Sequence, residues 1–284
     1  MEHEIVRKFA ALEADVMCEC KNITAPMDST RDFHNHDGHE ILLVLDGVMN
    51  FYTESGGVRL EKGDLICVQE YVFHRGELLT RERYDRIVLN IREDCLAKLT
   101  GGSLDPASCF RHDPSGLPGV IHLEEDETEK IKEYAKALQT CLSGREPGDE
   151  LLADAWLKLI LVTVLRHFAA REQEQYTQIM PQLVVETFAY IEHHLTEKIT
   201  LKKLEEHIHH NGTCISRRFR RITGISLQQF ILAKKITLSC RLLREGYAPG
   251  DVCFMTGFHN YSNYSRTFSR QMGISPRKYQ MRNR

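Results

Sequence analysis

Apolar and polar positions between residues 40 and 91 follow a pattern that predicts short β-strands. Aliphatic and aromatic residues fill five short runs, which glycine-containing turns separate. These runs are 40–45, 48–52, 58–60, 64–68 and 86–91. Many short strands at such spacing are typical of a small β-barrel or a jelly roll. We therefore predict that residues 1–120 form one β-domain of this kind.

The apolar spacing after residue 120 changes to that of helices. In 124–142 apolar residues recur every three or four positions, whereas 149–171 is apolar beyond a single stripe. A helix of the second kind must be covered on several sides. Either the barrel or a second subunit can cover it, so we interpret 121–175 as a helical linker or dimerisation region.

Residues 181–284 show only helical periodicity. Two helix pairs, at about 201–222 and 249–272, flank a long helix at 227–244. The predicted fold class is therefore α+β: an N-terminal β-barrel with following helices, then an all-α domain.

The all-α part contains one short sequence twice, 49 residues apart. Residues 215–230 read ISRRFRRITGISLQQF and residues 264–279 read YSRTFSRQMGISPRKY, with seven of 16 positions identical. A repeat of this length indicates one supersecondary unit used twice. Each copy is a basic helix that ends at a glycine and precedes a serine-initiated helix. This arrangement favours a tandem helix-turn-helix (HTH) reader of DNA.

The charge distribution supports a polyanionic partner for the C-terminal part alone. The whole chain has a net charge of only −3, but residues 181–284 carry 17 Lys and Arg against 7 Asp and Glu. The first 180 residues carry 20 basic and 33 acidic residues. Such asymmetry is typical of a nucleic-acid-binding domain joined to one that does not bind nucleic acid.

Cysteine usage and hydropathy bear on the compartment. The nine cysteines are odd in number and scattered, which suits reduced thiols, and the close pair Cys18 and Cys20 stands too isolated to indicate metal or redox chemistry. The start, MEHEIVRKFA, is not typical of a secretory signal, and no window approaches 18 uninterrupted apolar residues. We expect a cytoplasmic protein with no membrane partner.

The C-terminal motifs resemble the AraC/XylS family of bacterial transcription regulators over about 100 residues. Gly257-Phe258, the run 264–268 (YSRTF) and the run 273–279 (GISPRKY) match that family's signature in order and spacing. The resemblance implies that Thr213, Ser216 and Arg217 face bases in the first copy, and that Ser262, Asn263 and Arg266 do so in the second. Adding basic residues on the same helices gives the predicted DNA-binding set: Thr213, Ser216, Arg217, Arg218, Arg221, Ser262, Asn263, Arg266 and Arg270.

The N-terminal part resembles the cupin barrel that precedes the DNA domain in many members of the same family. The resemblance implies that His34, His36, Glu40 and His74 converge inside the barrel. We predict that they bind an effector, a sugar or another small polar metabolite. A bound metal ion and purely structural hydrogen bonding remain alternatives.

These features together predict a transcription regulator that works as a homodimer on double-stranded promoter DNA. The resemblance implies activation, with RNA polymerase as a further partner. We expect no enzymatic activity, no catalytic residues and no cofactor. Two alternatives stay open: a metal-dependent cupin enzyme with an accessory DNA-binding domain, and a DNA-binding protein that needs no effector.

Overall fold

The protein forms two compact units in a computed structural model that describes residues 9–10, 12–24, 33–80, 83–99, 105–111, 119–170 and 176–282. The sheet unit contains the described residues of 11–31 and 35–179. The helical unit contains residues 180–282 and, from the N-terminal part of the chain, Phe9–Ala10, Phe33 and His34. No helix among the described residues is both long and apolar enough to span a bilayer.

The strands of the chain fall mainly before residue 122. They are β1 Phe9–Ala10, β2 Val16–Thr24, β3 Asn35–His36, β4 His39–Asp46, β5 Met49–Thr53, β6 Gly57–Leu60, β7 Asp64–Val68, β8 His74–Leu78, β9 Arg83–Ile91 and β10 Gly119–His122. The helices of the sheet unit are α1 Glu93–Lys98, a 3-10 turn Ser108–Phe110, α2 Glu125–Ser143 and α3 Asp149–Ala170.

Two antiparallel sheets build the sheet unit. One has five strands in the order β10-β7-β4-β9-β2, and the other has three in the order β6-β5-β8. Strand β4 shows why the sheets stack, because successive side chains point to opposite faces. Ile41 and Leu43 pack in the core shared with α2 and α3, whereas Leu42 and Val44 pack against Met49 and other residues of the second sheet.

The predicted α+β class is confirmed, and the described strands form two separate sheets that do not close into one barrel. All five predicted strands are present with small shifts in their ends. Among the described strands no ladder connects the five-stranded sheet to the three-stranded one, so the two sheets face each other without closing. The prediction did not include β2, β8 and β10, or the two-residue strands β1 and β3.

The helical unit contains seven described helices after residue 180. They are α4 Gln182–His193, α5 Leu201–Ile208, α6 Gly212–Thr223, α7 Leu227–Arg244, α8 Pro249–Met255, α9 Tyr261–Met272 and α10 Pro276–Arg282. Helices α5 and α6 form the first HTH module, and α8 and α9 form the second.

Each module packs on its own aromatic core, and α7 contributes to both. In the first core Phe188, Phe219 and Phe230 lie with ring centroids 5.0 to 5.5 Å apart. In the second, Tyr264 and Phe268 pack with Ile236, Cys240 and Leu243 of α7. One helix is therefore buried against both modules.

Phe33 completes the first core although it precedes that core by about 150 residues in sequence. Its ring is fully buried, with its centroid 5.6 Å from that of Phe188 and 6.4 Å from that of Phe230. Its backbone N–H also donates to the carbonyl oxygen of Thr223 at 2.9 Å. The first HTH module thus depends on a residue far outside residues 180–282.

We predict that Phe33→Ala destabilises the helical unit by about 3–5 kcal/mol, because it removes a fully buried ring from a packed core. Urea unfolding followed by far-ultraviolet circular dichroism measures the change. Fluorescence of Trp156, the only tryptophan and a residue of the sheet unit, gives an internal reference that should not shift.

The matched control is Phe254→Ala, since Phe254 of α8 is 66% exposed. Its removal should change the free energy of unfolding by at most about 0.5 kcal/mol. Equal effects of the two substitutions would contradict the role given to Phe33.

Candidate nucleic-acid interface and ligand site

The helices α6 and α9 begin and end in the same way, as the sequence repeat requires. The side chain of Asn211 accepts the N–H of Thr213 at the start of α6, and that of Asn260 accepts the N–H of Asn263 at the start of α9. Both helices stop at a glycine with left-handed φ, Gly224 at 77° and Gly273 at 75°. Asparagine caps and left-handed glycines are common helix boundaries.

The sequence also predicts helix N-caps at Thr213 and Ser262, because threonine and serine are common cap residues, and the structure corrects this prediction. Capping by Asn211 and Asn260 puts both residues inside the first turn of their helices instead. Thr213, Ser262 and Asn263 are all exposed there. Their side chains are consequently available to an external partner.

The apolar stripe of each recognition helix is buried, and its basic side is exposed. Ile215 and Phe219 of α6, like Tyr264 and Phe268 of α9, have no measurable exposure. The remaining predicted DNA-binding residues lie on other faces of these helices. Ser216 is half-buried, and the exposed ones are Arg217, Arg218, Arg221, Arg266 and Arg270.

A groove of about 1100 Å³ runs between the two HTH modules. Four of the nine predicted DNA-binding residues line it: Thr213, Ser216 and Arg217 from α6, and Asn263 from α9. The other five do not line the groove. Side chains from both copies of the repeat are therefore brought to one concave surface.

Lys235 of α7 lies at the groove and connects the two modules. It is only 8% exposed, and its ammonium group donates to the carbonyl oxygen of Gly257 at 3.0 Å and to that of Glu197 at 3.4 Å. It also lies 5.8 Å from the centroid of the Phe258 ring. Because burial disfavours a charged amine, the pKa of Lys235 is lowered.

Gly257 allows this contact because the backbone of the second module approaches that of the first. A Cβ atom at Gly257 would lie 2.2 Å from the carbonyl oxygen of Thr196, and φ there is 72°. Thr196 and Glu197 immediately precede the first HTH module, whereas Gly257 is the turn within the second. The role of Lys235 was not predicted from the sequence, in which it is one more cation on a basic helix.

Glu205 of α5 is a second residue whose role the sequence did not indicate. Its carboxylate accepts the backbone N–H of Gly212 at 2.5 Å, at the first residue of α6. A negative charge at a helix N-terminus is favourable because of the helix dipole. Glu205 therefore fixes the turn of the first HTH module.

Three of the four predicted effector-binding residues come together in the sheet unit. His36 of β3, Glu40 of β4 and His74 of β8 are buried, and each offers a ligand atom within 4.8 Å of the other two. His36 Nε2 lies 3.2 Å from Glu40 Oε2, and His74 Nε2 lies 3.8 Å from Glu40 Oε1. His34 is outside this group; it belongs to the helical unit and precedes β3.

Backbone carbonyls orient both histidine rings. Nδ1 of His36 lies 2.8 Å from the oxygen of Gly38, and Nδ1 of His74 lies 3.0 Å from that of Val72. With Nδ1 donating, a neutral ring presents the lone pair of Nε2 to the group, whereas a protonated His36 donates from Nε2 to Glu40. Burial lowers the pKa of His36, but the hydrogen bond to Glu40 and the charge of that residue outweigh it, so the pKa is raised.

The group faces the space between the two sheets and includes one residue that sequence reasoning missed. Glu40 lies on the face of β4 that also carries Leu42 and Val44, and Asn90 of β9 is its direct cross-strand neighbour. The buried Oδ1 of Asn90 has no hydrogen-bond partner among the described residues. Two imidazoles, a carboxylate and an amide can hydrogen bond a polar ligand, and the imidazoles and carboxylate can also coordinate a divalent transition metal.

Two protein-family models match the chain. The AraC-like ligand binding domain matches residues 18–161, about half of the chain, and a helix-turn-helix domain matches residues 206–282. Together they cover the candidate ligand site and most of both HTH modules.

Individual proteins are similar over most of the chain at low identity. An uncharacterized HTH-type transcriptional regulator of Staphylococcus aureus is 23% identical over 262 residues, which are 90% of this chain and 33% of that protein. The probable transcriptional regulator LumQ of Photobacterium leiognathi is 22% identical over 255 residues, 89% of this chain and 94% of that protein. The chain thus spans about a third of the length of the first curated relatives it matches.

Among solved structures, the similarity to a variant of apo ToxT from Vibrio cholerae covers 96% of this chain and 99% of that protein, with a TM-score of 0.41 and 12% identity. The family assignment comes from the model matches, since one of them extends over half of the chain. With its AraC-like ligand binding domain followed by an HTH domain, this chain belongs to the AraC family of transcriptional regulators.

Proposed function

We propose that the chain is a sequence-specific DNA-binding regulator whose C-terminal HTH motifs, at about 201–222 and 249–272 within a DNA-binding domain at 181–284, bind one duplex together. The observation that carries this proposal is the single groove lined by Thr213, Ser216, Arg217 and Asn263. Two recognition helices can enter successive major grooves on one side of DNA when they lie roughly 34 Å apart. Arginine can then bond to guanine and asparagine to adenine.

The charge of the two parts supports the same assignment. The excess of Lys and Arg lies in residues 181–284, while the first 180 residues are acidic in sum. Phosphate contacts by such residues release counterions and provide most of the nonspecific affinity for DNA. We propose that the target is promoter DNA in the cytoplasm. We propose RNA polymerase as the partner through which DNA binding affects transcription.

We further propose that residues 1–120 bind a small polar effector, a sugar or a similar metabolite, at His36, Glu40 and His74. The support is the convergence of these buried side chains beside the unpartnered Oδ1 of Asn90. A hydroxyl-rich ligand would donate to the carboxylate and amide oxygens and to the Nε2 lone pairs of the neutral rings. Regulation then requires only that the ligand bind one state of the protein more tightly than the other.

A metal ion at the same three side chains is the second candidate, favoured by their 4.8 Å grouping and by the oriented Nε2 atoms. Such an ion would either bind in place of the organic effector or help to bind it.

We propose regulation and not catalysis as the activity of the chain.

Arg217→Ala and Arg266→Ala should each reduce discrimination between a cognate and a scrambled DNA site by about 1–3 kcal/mol, because each removes a base-contacting guanidinium. Fluorescence anisotropy on both DNA sites gives the two affinities. Arg241→Ala is the matched control, since Arg241 is an exposed arginine of α7 whose Nε lies 4.0 Å from the carboxylate of Glu245. Equal loss on both DNA sites would assign the arginine to phosphate contact.

His74→Ala should abolish the rise in melting temperature that a bound sugar or organic acid produces in the wild-type protein. The substitution removes one of the three side chains proposed to bind the ligand. A thermal-shift screen with and without added Zn²⁺ or Ni²⁺ separates the polar effector from the metal. His167→Ala on α3, whose Nδ1 lies 2.9 Å from the carbonyl oxygen of Thr163, serves as control and should keep the full response. A response that survives His74→Ala would place the ligand elsewhere.

Residues 121–175 are proposed to pair two subunits. Leu151, Leu152 and Leu159 of α3 are 75%, 50% and 44% exposed, while the opposite side of the helix packs on the five-stranded sheet. Exposed apolar patches of this kind mark contact surfaces. Helix α3 therefore packs on its own sheet and still presents an apolar face.

Leu151→Glu combined with Leu159→Glu should convert a dimer into a monomer of 32.8 kDa, because two carboxylates cannot be buried unpaired in an apolar contact. Analytical ultracentrifugation measures the mass. A dimer that persists in the double variant would show that subunits pair through another surface.

A further inference from the structure

A cavity of about 450 Å³ lies in the sheet unit, between the first half of α2 and the strands β2, β4 and β9. Six cationic side chains line it: Lys21, Lys62, Arg83, Arg86, Lys132 and Lys136. Three carboxylates do so as well. Since the first 180 residues carry 20 basic against 33 acidic residues, this excess of cations is local and opposes the charge of the surrounding chain.

The helical wall of the cavity brings two like charges together. Lys132 and Lys136 are four residues apart on α2, so they lie on one face of the helix. Like charges at this spacing repel each other. The ammonium group of Lys132 lies 2.7 Å from Glu129 Oε1, but Lys136 has no ion pair with a described residue.

The strand wall contains a second pair of like charges. Lys21 of β2 and Arg86 of β9 are direct partners across the antiparallel ladder, and both are half-buried. Like charges directly opposite each other destabilise a sheet. The guanidinium carbon of Arg86 lies 5.3 Å from the centroid of the Tyr84 ring, and no described carboxylate forms an ion pair with Arg86.

The other cations of the cavity have carboxylate partners that solvent can reach. Lys21 pairs with Glu19, Lys62 with Glu125, and Arg83 with Asp46 and Asp85. The cationic side chains of these pairs are 37%, 53% and 55% exposed, and exposed ion pairs contribute little to stability. An anion with several charges can therefore compete with these carboxylates.

We propose that this cavity binds a small multivalent oxyanion, such as a phosphate-bearing or polycarboxylate metabolite. Its oxygens accept hydrogen bonds from Lys136 and Arg86 and lie between the like charges on each wall, so that repulsion is replaced by attraction. The volume falls within the range of roughly 300–1,000 Å³ that small-molecule sites occupy. None of the lining residues belongs to the group of His36, Glu40 and His74, so this is a second ligand site.

The test is urea unfolding of the full-length protein, followed by the fluorescence of Trp156. This tryptophan lies in the sheet unit, so anions that bind the basic helical unit affect its signal little. The probes are pyrophosphate and citrate, with sodium chloride at equal ionic strength as reference. We expect a larger rise of the unfolding midpoint with one of the oxyanions than with chloride. The anion that gives the larger rise identifies phosphate or carboxylate as the group recognised.

Lys136→Gln separates anion binding from folding, because Lys136 has no ion pair with a described residue to lose. Without added anion its midpoint should equal or exceed that of the wild type, since the substitution removes a repulsive neighbour. The anion concentration that gives half of the midpoint rise should increase about tenfold, the cost of one charged hydrogen bond. The matched control is Lys158→Gln on α3, whose ammonium group lies 2.6 Å from Asp154 four residues away. It should keep the full anion response.

Alkylation of Cys20 locates the bound anion, because this half-buried thiol also lines the cavity. The anion should slow the reaction of iodoacetamide with Cys20. It should not slow the reaction with Cys141, which is also half-buried but does not line the cavity. Three results would overturn the proposal: a midpoint rise no larger with either oxyanion than with chloride, a full response in Lys136→Gln, or no protection of Cys20.

Discussion

The contact of Lys235 with the carbonyl oxygens of Gly257 and Glu197 is the constraint on which the helical unit depends. A lysine buried this deeply is favourable only while both acceptors stay in place. One acceptor belongs to the turn of the second HTH module and the other immediately precedes the first. The modules are therefore joined by α7 and also by a polar contact that fixes their mutual orientation.

The groove and its base-facing side chains follow from that constraint. Phe230 anchors α7 in the first core, and Cys240 and Leu243 anchor it in the second, so neither module can rotate without opening a core. The sheet unit follows a simpler rule. Strand alternation on β4 sends Ile41 toward the helices and Glu40 toward the space between the sheets, where His36 and His74 meet it.

Local features of the fold could be predicted from the sequence. Apolar periodicity located α2, α3 and α7 within a residue or two, and the repeat located the two recognition helices. Strand β8 was missed because its sequence, HRGEL, has no apolar alternation. The helix caps were predicted two residues too late, at Thr213 and Ser262, because threonine and serine cap about as well as the asparagines that hold those positions.

Long-range contacts could not be predicted in this way. Phe33 fills a core whose other rings are those of Phe188, Phe219 and Phe230, and nothing in its own neighbourhood in the sequence indicates that. Lys235 and Asn90 acquire their importance from backbone atoms and side chains brought close only by the fold. The resemblance implied the same role for His34 and His36, yet the short strand β3 begins after His34, so the two histidines are not equivalent.

The most direct test of the central claim is the affinity of the protein for its operator when base pairs are inserted between the two half-sites. Five inserted base pairs turn one half-site to the opposite side of the duplex, because a helical turn contains roughly 10–10.5 base pairs. Modules held in a fixed orientation should then bind only as tightly as to a single half-site. An affinity unchanged by the insertion would show that the two modules move independently and would contradict the account.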